Sequence, residues 1–306
     1  MPRGSGASGP GLLGRHIIAP AMIARLVYSA IGPYRWASHL NVAAEIERWI
    51  RRAGLALEYS QGFNPRPKIS FGPAKPVGMS GYREIADISL VSTDPTPDVK
   101  FDQEFPGAKN GSFDPQSLRF LFSGEIAEEN GVMERARDWM EAGAPNWWME
   151  TVQNIEPRNL EKDAVSLGGI WTRMAERRAP HITPIGLRLL ENGEGTLSKI
   201  VSSSLVFAKF EFENQHSRAL AAEFLCGRSW IVEAGASRAF KDVRPYAESL
   251  HVSESQEALS VFLRAKSSAS ESLPFVRVAD KVAELGGITA ECARVLFLDA
   301  KGAPVG

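Results

Sequence analysis

The chain has 306 residues, of which 44% are hydrophobic and 23% are charged, and its formal net charge is −1. This length is sufficient for two ordinary domains with a substantial buried core. The apolar runs are far shorter than the roughly 20 residues that cross a bilayer. The sequence therefore predicts a globular protein with no membrane association.

The near-neutral total hides an uneven distribution of charge. The first 83 residues contain eleven Lys and Arg but three Asp and Glu, whereas the remainder of the chain is acidic. A basic segment suits an anionic partner such as nucleic acid. We therefore treat nucleic-acid binding as a hypothesis for the first part of the chain.

Cysteine and histidine spacing argues against a metal site built from local sequence. The two cysteines, Cys226 and Cys292, are too far apart in sequence to suggest a metal-binding or redox pair, and the five histidines show no HxH or HxxxH spacing. We predict no metal and no cofactor. Free cysteines also favour a reducing cytoplasm as the location.

The first elements follow from composition and periodicity. Residues 1–20 are rich in Gly, Ser and Pro and contain no acid, which predicts a disordered tail. Residues 22–29 alternate as a strand does. Ser38 is a suitable cap for a helix that ends at Gly54, and Trp49 falls on its apolar, core-facing side.

Residues 59–71, YSQGFNPRPKISF, form the most distinctive stretch of the chain. Pro65 and Pro67 restrict the backbone, so this loop is predicted to be stiff. Arg66 and Lys68 are two residues apart in an extended segment and should project to the same side. Two interpretations are open: a cradle for phosphate or carboxylate groups, or a rigid surface connection whose charges keep it solvated.

An insertion is predicted after the strands at residues 69–71 and 85–91. Residues 93–180 are rich in turn formers, with short helices near 132–142 and 160–178. They hold four of the seven tryptophans. Such a concentration indicates a satellite core or, alternatively, an exposed patch that binds a partner.

Strands and helices alternate again in the last part of the chain. We predict strands at 187–190, 205–212, 230–233, 258–264 and 295–298, and helices at 218–226 and 275–285. The predicted fold class is α+β, with two ferredoxin-like βαββαβ halves and a partly helical insertion between them. The predicted boundaries are a tail at 1–20, a first half at 21–92, the insertion at 93–180, a second half at 181–300 and a tail at 301–306.

Several runs together resemble one known family. They are Ser38-His39-Leu40, Arg51-Arg52-Ala53-Gly54-Leu55, the loop at 59–71, residues 182–190 and Asp242-Val243-Arg244-Pro245. In these runs the chain is similar to the radical-SAM-linked proteins, a bacterial domain of unknown function encoded beside, or fused to, a radical SAM protein. The resemblance implies a radical SAM protein as partner. Asn41 and Ala44 stand where that family usually has Asp and Arg.

Candidate site residues lie mainly on the loop and on the helix before it. The candidates for binding RNA or another anion are Arg48, Arg52, Tyr59, Ser60, Gln61, Phe63, Asn64, Arg66 and Lys68. His39 lies at a helix start, where free N–H groups lower a histidine pKa, and is interpreted as a cap, a ligand contact or a catalytic base. Asp242 and Arg244 form a candidate second-half motif, either as a strand-edge pair or as a contact with the first half.

Three functions are consistent with these residues. The main hypothesis is a non-catalytic subunit that presents RNA or another anionic substrate to a radical SAM partner, with Phe63 and Phe71 stacking on bases. The second is an RNA-processing or RNA-modifying enzyme that uses His39 with Ser38 or Tyr59. The third is an assembly subunit that binds only protein, through the tryptophan-rich insertion. Whether the protein is an enzyme stays open at this point.

Overall fold

A nine-stranded β-sheet carries the fold. The computed structural model describes residues 21–91, 135–153, 182–190, 193–234, 239–268 and 272–305, together with residues 170, 173, 174, 176 and 177. Within these residues the chain is a mixed α+β protein with six α-helices and a large, mostly antiparallel sheet. No helix in the described segments is both long and apolar enough to cross a membrane.

The elements are named in chain order. The strands are β1 (Ala21–Ala30), β2 (Ile69–Phe71), β3 (Ser80–Val91), β4 (Ile182–Leu189), β5 (Ser203–Phe212), β6 (Ile231–Ala234), β7 (Ala239–Asp242), β8 (Ala247–Glu254), β9 (Ala258–Lys266), β10 (Gly287–Leu298) and β11 (Pro304–Val305). The helices are α1 (His39–Arg52), α2 (Arg135–Glu141), α3 (Asn146–Gln153), α4 (Leu197–Ile200), α5 (Gln215–Cys226) and α6 (Phe275–Glu284), with 3-10 helices η1 (Gly32–Trp36) and η2 (Arg244–Tyr246).

The sheet consists of two groups of strands with the same arrangement. Its order is β4-β1-β3-β10-β5-β9-β8, with β2 on β3 and β11 on β10. The first group is β4-β1-β3-β2 and the second is β10-β5-β9-β8, and neighbours within each group are antiparallel. The groups meet where β3 pairs in parallel with β10, at Ser80 and Gly81 opposite Ala293 and Arg294. One continuous sheet therefore joins the two halves.

Helix α1 forms as its sequence predicts and covers one face of the first group. The Ser38 side chain accepts a hydrogen bond from the Asn41 N–H at 3.2 Å, so Ser38 is the N-cap. Trp49 is completely buried against β1 and β3, in agreement with the predicted core position. Its indole N–H donates to the Met174 carbonyl oxygen at 2.7 Å, which connects α1 to a distant segment.

The second group is covered on both faces. Helices α5 and α6 pack on one face of β5 and β9, in a core that includes Phe210 and Trp230. Trp139 and Trp148 are buried on the opposite face, where they contact Phe207 and Phe262. These two tryptophans lie in a buried cluster with residues of the main sheet, so the alternative of an exposed patch is wrong for them. Trp171 lies outside the described residues.

Several predicted segments differ in length or partner. Strands β3 and β10 begin earlier than predicted, β8 was not predicted, and β6 pairs with β7 in a separate two-stranded ribbon. β4 was assigned to the second half but pairs with β1, which places it in the first group. Residues 301–306 were predicted as a tail, yet Pro304–Val305 pairs with β10. The predicted tail at 1–20 and most of the helix at 160–178 lie outside the described residues.

Candidate functional site

The loop after α1 projects from the edge of the sheet as a β-finger. Glu58 donates its N–H to the Ser89 carbonyl oxygen at 2.8 Å, and the Ser89 N–H donates to the Lys68 carbonyl oxygen at 3.0 Å. The chain therefore leaves the edge of β3 after Glu58 and returns to it at Lys68. We call the projecting residues 59–67 the finger.

Hydrogen bonds across the finger hold its two sides together. The Ser60 N–H donates to the Arg66 carbonyl oxygen at 2.8 Å, and the Arg66 N–H donates to Ser60 Oγ at 3.0 Å. Tyr59 forms an antiparallel bridge with Pro67. Hydrogen bonds therefore join the two sides of the finger, which is consistent with the stiffness predicted from its prolines.

The tip of the finger is open to solvent. Phe63 is 100% exposed, and Gln61, Asn64 and Arg66 are exposed beside it. Among the residues that the structure describes, no carboxylate pairs with the Arg66 guanidinium. The tip thus presents an aromatic ring and an exposed positive charge.

Charges at the base of the finger are paired instead. Lys68 Nζ lies 2.5 Å from Glu58 Oε1, so Lys68 and Arg66 do not act as two equivalent free cations. Arg51 Nη2 donates to the Tyr59 hydroxyl at 2.5 Å and also binds Glu47. Arg51 was not among the predicted site residues, although it connects the finger to α1. The signal that could have found it is its position on the same helix face as Glu47, one turn earlier.

The two predicted α1 cations share one acid. Arg48 Nη2 and Arg52 Nη2 bind the two carboxylate oxygens of Glu45 at 2.5 and 2.7 Å. Burial alone would raise the pKa of Glu45, but the hydrogen bonds from Arg52 and Arg48 outweigh it and lower that pKa. The face is therefore less basic than its arginine count suggests.

His39 is half buried at the start of α1. Its ring meets the Phe71 ring edge-on, with 5.3 Å between centroids, and borders a small space lined by Tyr28 and Lys75. Burial is the main reason that its pKa is lowered. Within the described segments the ring forms no hydrogen bond with a hydroxyl or a carboxylate, so the arrangement expected of a catalytic base is absent there.

Near His39, buried charged side chains join the two halves. Glu84 of β3 accepts two hydrogen bonds from the Arg294 guanidinium of β10, one of them at 2.9 Å. Lys75 Nζ donates to three backbone carbonyl groups, and burial lowers its pKa to about 8. Gly81 makes room for the Glu84 side chain, because a Cβ there would lie 2.5 Å from Glu84 Oε1. These groups are fully engaged in structural contacts.

Residues 24–105 match a known family model. Its description is "Uncharacterized protein conserved in bacteria (DUF2344)". The matched segment contains most of β1 and all of α1, the finger, β2 and β3, which is the part of the chain where the sequence resemblance is strongest. No curated protein matches the chain at a significant level. The comparisons therefore connect the first half to an uncharacterised bacterial family.

Asp242 and Arg244 lie outside the matched segment and stabilise a turn. The Asp242 carboxylate accepts hydrogen bonds from the backbone N–H groups of Trp230 and Arg244 at 2.8 and 3.0 Å, and these bonds lower its pKa. The Arg244 guanidinium stacks on the Trp230 ring and donates to the Ala247 carbonyl oxygen. The predicted side-chain ion pair is therefore replaced by backbone contacts, all within the second half.

In the described part of the chain, no group of three or more His, Cys, Asp or Glu side chains could hold a metal ion. The finger remains the arrangement of predicted site residues with the clearest capacity for binding.

Proposed function

We propose that this protein is a non-catalytic binding subunit that holds single-stranded RNA on the finger and presents it to a radical SAM partner. The observation that carries the proposal is the fully exposed Phe63 at the tip of a hydrogen-bonded finger, close in sequence to Arg66, whose guanidinium pairs with no carboxylate among the described residues. An exposed aromatic ring beside a free cation is the combination that stacks a base and contacts its phosphate.

The hydrogen-bonded backbone of the finger supports this proposal because it reduces the conformational entropy lost on binding. A flexible loop loses conformational freedom when it closes on a ligand, and that loss subtracts from affinity. The finger has its hydrogen bonds in place between Ser60 and Arg66, so less freedom remains to be lost. The same argument favours a ligand that contacts the tip, since the base of the finger is occupied by Lys68 and Arg51 in ion pairs.

The proposal also includes two ferredoxin-like halves and a radical SAM protein as partner. We infer that each strand group is a ferredoxin-like half, because both groups repeat one strand order with antiparallel neighbours. The radical SAM partner rests on the resemblance of the finger sequence to the radical-SAM-linked proteins. An independent RNA-processing or RNA-modifying enzyme is less well supported, because His39 has no hydroxyl or carboxylate partner among the described residues.

Binding of a labelled single-stranded RNA of about 12 nucleotides tests the role of the finger, with heparin as a competing polyanion. Phe63→Ala should weaken binding about tenfold, since one stacked base contributes on the order of 1–3 kcal/mol. Arg66→Ala should weaken binding and reduce the dependence of log K on log salt by about 0.7.

Matched surface variants control for nonspecific effects. Phe240→Ala removes another exposed ring, and Arg228→Ala removes another exposed arginine. Both should bind RNA as the unmodified protein does. If the Phe63 and Arg66 variants bind RNA with the same affinity as the two control variants, the finger is not the RNA-binding site. Binding of the partner protein but not of RNA would favour the assembly subunit.

A further inference from the structure

A second candidate site lies in a cleft between the two halves, separate from the finger. One wall is formed by η1 and the turn before β3, and the other by α6 and the start of β10. The cleft has a volume of about 190 Å³. Its lining includes Arg35, Trp36, Asp280 and Thr289.

Arg35 contributes a guanidinium group to the lining of the cleft. Its Nε is buried, and within the described residues it has no hydrogen-bond partner. The backbone of Arg35 is firmly held, because its carbonyl oxygen accepts from Lys75 Nζ at 3.0 Å and from the Gly78 N–H at 2.8 Å. An unsatisfied buried donor costs free energy, and a guanidinium matches the geometry of a phosphate or carboxylate group. The Arg35 guanidinium is therefore a candidate contact for an anionic ligand.

Trp36 adds a flat surface next to this charge. The indole is 61% exposed, and the Arg35 guanidinium lies over the ring, 4.8 Å from its centroid, so it covers part of one face. Gly78 adopts a φ of +93°, and a Cβ on it would lie 3.3 Å from Trp36, so the turn can approach the indole closely only as glycine. The position of the ring is thus fixed while much of its surface stays available for stacking.

The opposite wall limits the charge that the cleft accepts. Asp280 is exposed there. Its Oδ2 pairs with Arg277 at 3.2 Å, and its Oδ1 can accept a hydrogen bond from a sugar hydroxyl or a base amino group. The buried Cys292 and Ala279 are apolar. A single phosphate can bind Arg35, whereas a triphosphate would bring more negative charge toward Asp280.

We propose that this cleft binds a nucleoside monophosphate, with the phosphate on Arg35, the base on Trp36 and the ribose toward Asp280. The ligand can be a free nucleotide or the phosphorylated end of an RNA strand, since both carry this chemistry. The site uses none of the finger residues. Its test is therefore independent of the test for RNA binding by the finger.

Fluorine NMR of protein labelled with fluorotryptophan tests the proposal, because Trp36 gives one of seven resonances and Trp36→Phe identifies it. AMP should shift the Trp36 resonance. Adenosine and inorganic phosphate should each bind at least about tenfold more weakly than AMP, since each lacks one of the two contacts. ATP should also bind more weakly than AMP.

Variants of Arg35 test whether AMP binds in the cleft. Arg35→Met should weaken AMP binding about tenfold or more in calorimetry, while Arg228→Met should not change it. The other six tryptophan resonances report whether the Arg35 variant is folded. Unchanged AMP affinity in folded Arg35→Met, or phosphate competing as well as AMP, would overturn the proposal. A short RNA with a 5′ phosphate, compared with its unphosphorylated form, distinguishes a strand end from a free nucleotide.

Discussion

Arg25 and Asp87 face each other across β1 and β3 and form a buried ion pair with two hydrogen bonds, at 2.7 and 2.9 Å. The Arg25 side chain is 1% exposed. Asp87→Asn would leave the guanidinium buried without its counter-charge, so the free energy of unfolding should fall by about 3–5 kcal/mol in urea denaturation. The double variant Arg25→Met with Asp87→Leu should recover most of this loss. A loss below about 1 kcal/mol for Asp87→Asn would mean that the pair behaves like a surface pair.

His39 provides a pH-dependent test at the same scale. Its pKa in the folded protein is lowered from 6.5, chiefly by burial, with Glu84 raising it and Arg294 and Lys75 lowering it further. As the pH falls below 6.5, the unfolded chain takes up this proton before the folded protein does. The contribution of His39 to stability is therefore complete above pH 6.5 and decreases as the pH falls toward the lowered pKa.

Replacement of His39 should remove this pH dependence. Urea denaturation between about pH 5 and pH 7 should show a smaller acid-induced loss of stability for His39→Gln than for the unmodified protein. His216→Gln removes an exposed histidine and should follow the unmodified curve. Parallel curves for His39→Gln and the unmodified protein would show that burial of the imidazole has no thermodynamic effect.

Residue-level features were only partly predictable from sequence. The exposed, proline-stiffened finger follows from local turn chemistry, because Gly62, Pro65 and Pro67 act through their own backbone. The ion pairs of Arg48 and Arg52 are less obvious, since both depend on Glu45, a side chain that the helix buries. A count of charges along the chain cannot show which of them are paired in space.

Among the elements, α1 is the clearest case in which local sequence determines structure. Its cap, its apolar stripe and the glycine after it all specify one helix, and the helix forms between the expected residues. Strand β8 is the contrasting case. Its residues AESLHVSE are largely polar, and it is stabilised by pairing with β9, so its periodicity gives little local signal. The missed strands, β7, β8 and β11, depend on a neighbouring strand, and the short helices α3 and α4 were missed as well.

The α1 cap allows a prediction that separates structure from binding. Ser38→Ala removes the acceptor for the Asn41 N–H and should lower the free energy of unfolding by about 1 kcal/mol, whereas Ser38→Asp should keep most of it. RNA affinity should be unchanged in both variants, because neither alters the finger. Loss of RNA binding by a folded Ser38→Asp protein would instead indicate that the start of α1 contacts the ligand.

At the scale of the whole molecule, the joint between the two halves could not be predicted. The α+β class follows from the alternation of strand and helix patterns, but pairing between β3 and β10 brings together residues about 210 positions apart. β4 was misassigned for the same reason, since its hydrogen bonds are made with β1 and its sequence does not encode that choice. Long-range register is a property of the assembled sheet.

The Glu84–Arg294 pair should make unfolding of the two halves cooperative. The ladder between β3 and β10 pairs Ser80 and Gly81 with Ala293 and Arg294, and the Glu84–Arg294 ion pair is buried at this joint. Arg294→Met leaves the Glu84 carboxylate without its partner, and the joined state should lose about 3–5 kcal/mol. The halves should then unfold at different urea concentrations.

Two buried tryptophans report the halves separately, since Trp49 lies in the first and Trp230 in the second. In fluorotryptophan-labelled protein, both native fluorine signals should disappear at the same urea concentration. In Arg294→Met they should disappear at different concentrations, and Glu84→Leu combined with Arg294→Met should bring them back together, because no uncompensated charge is then buried at the joint. Coincident transitions in all three proteins would mean that the apolar contacts of Phe297 with Val27 and Ile85 are sufficient to couple the halves.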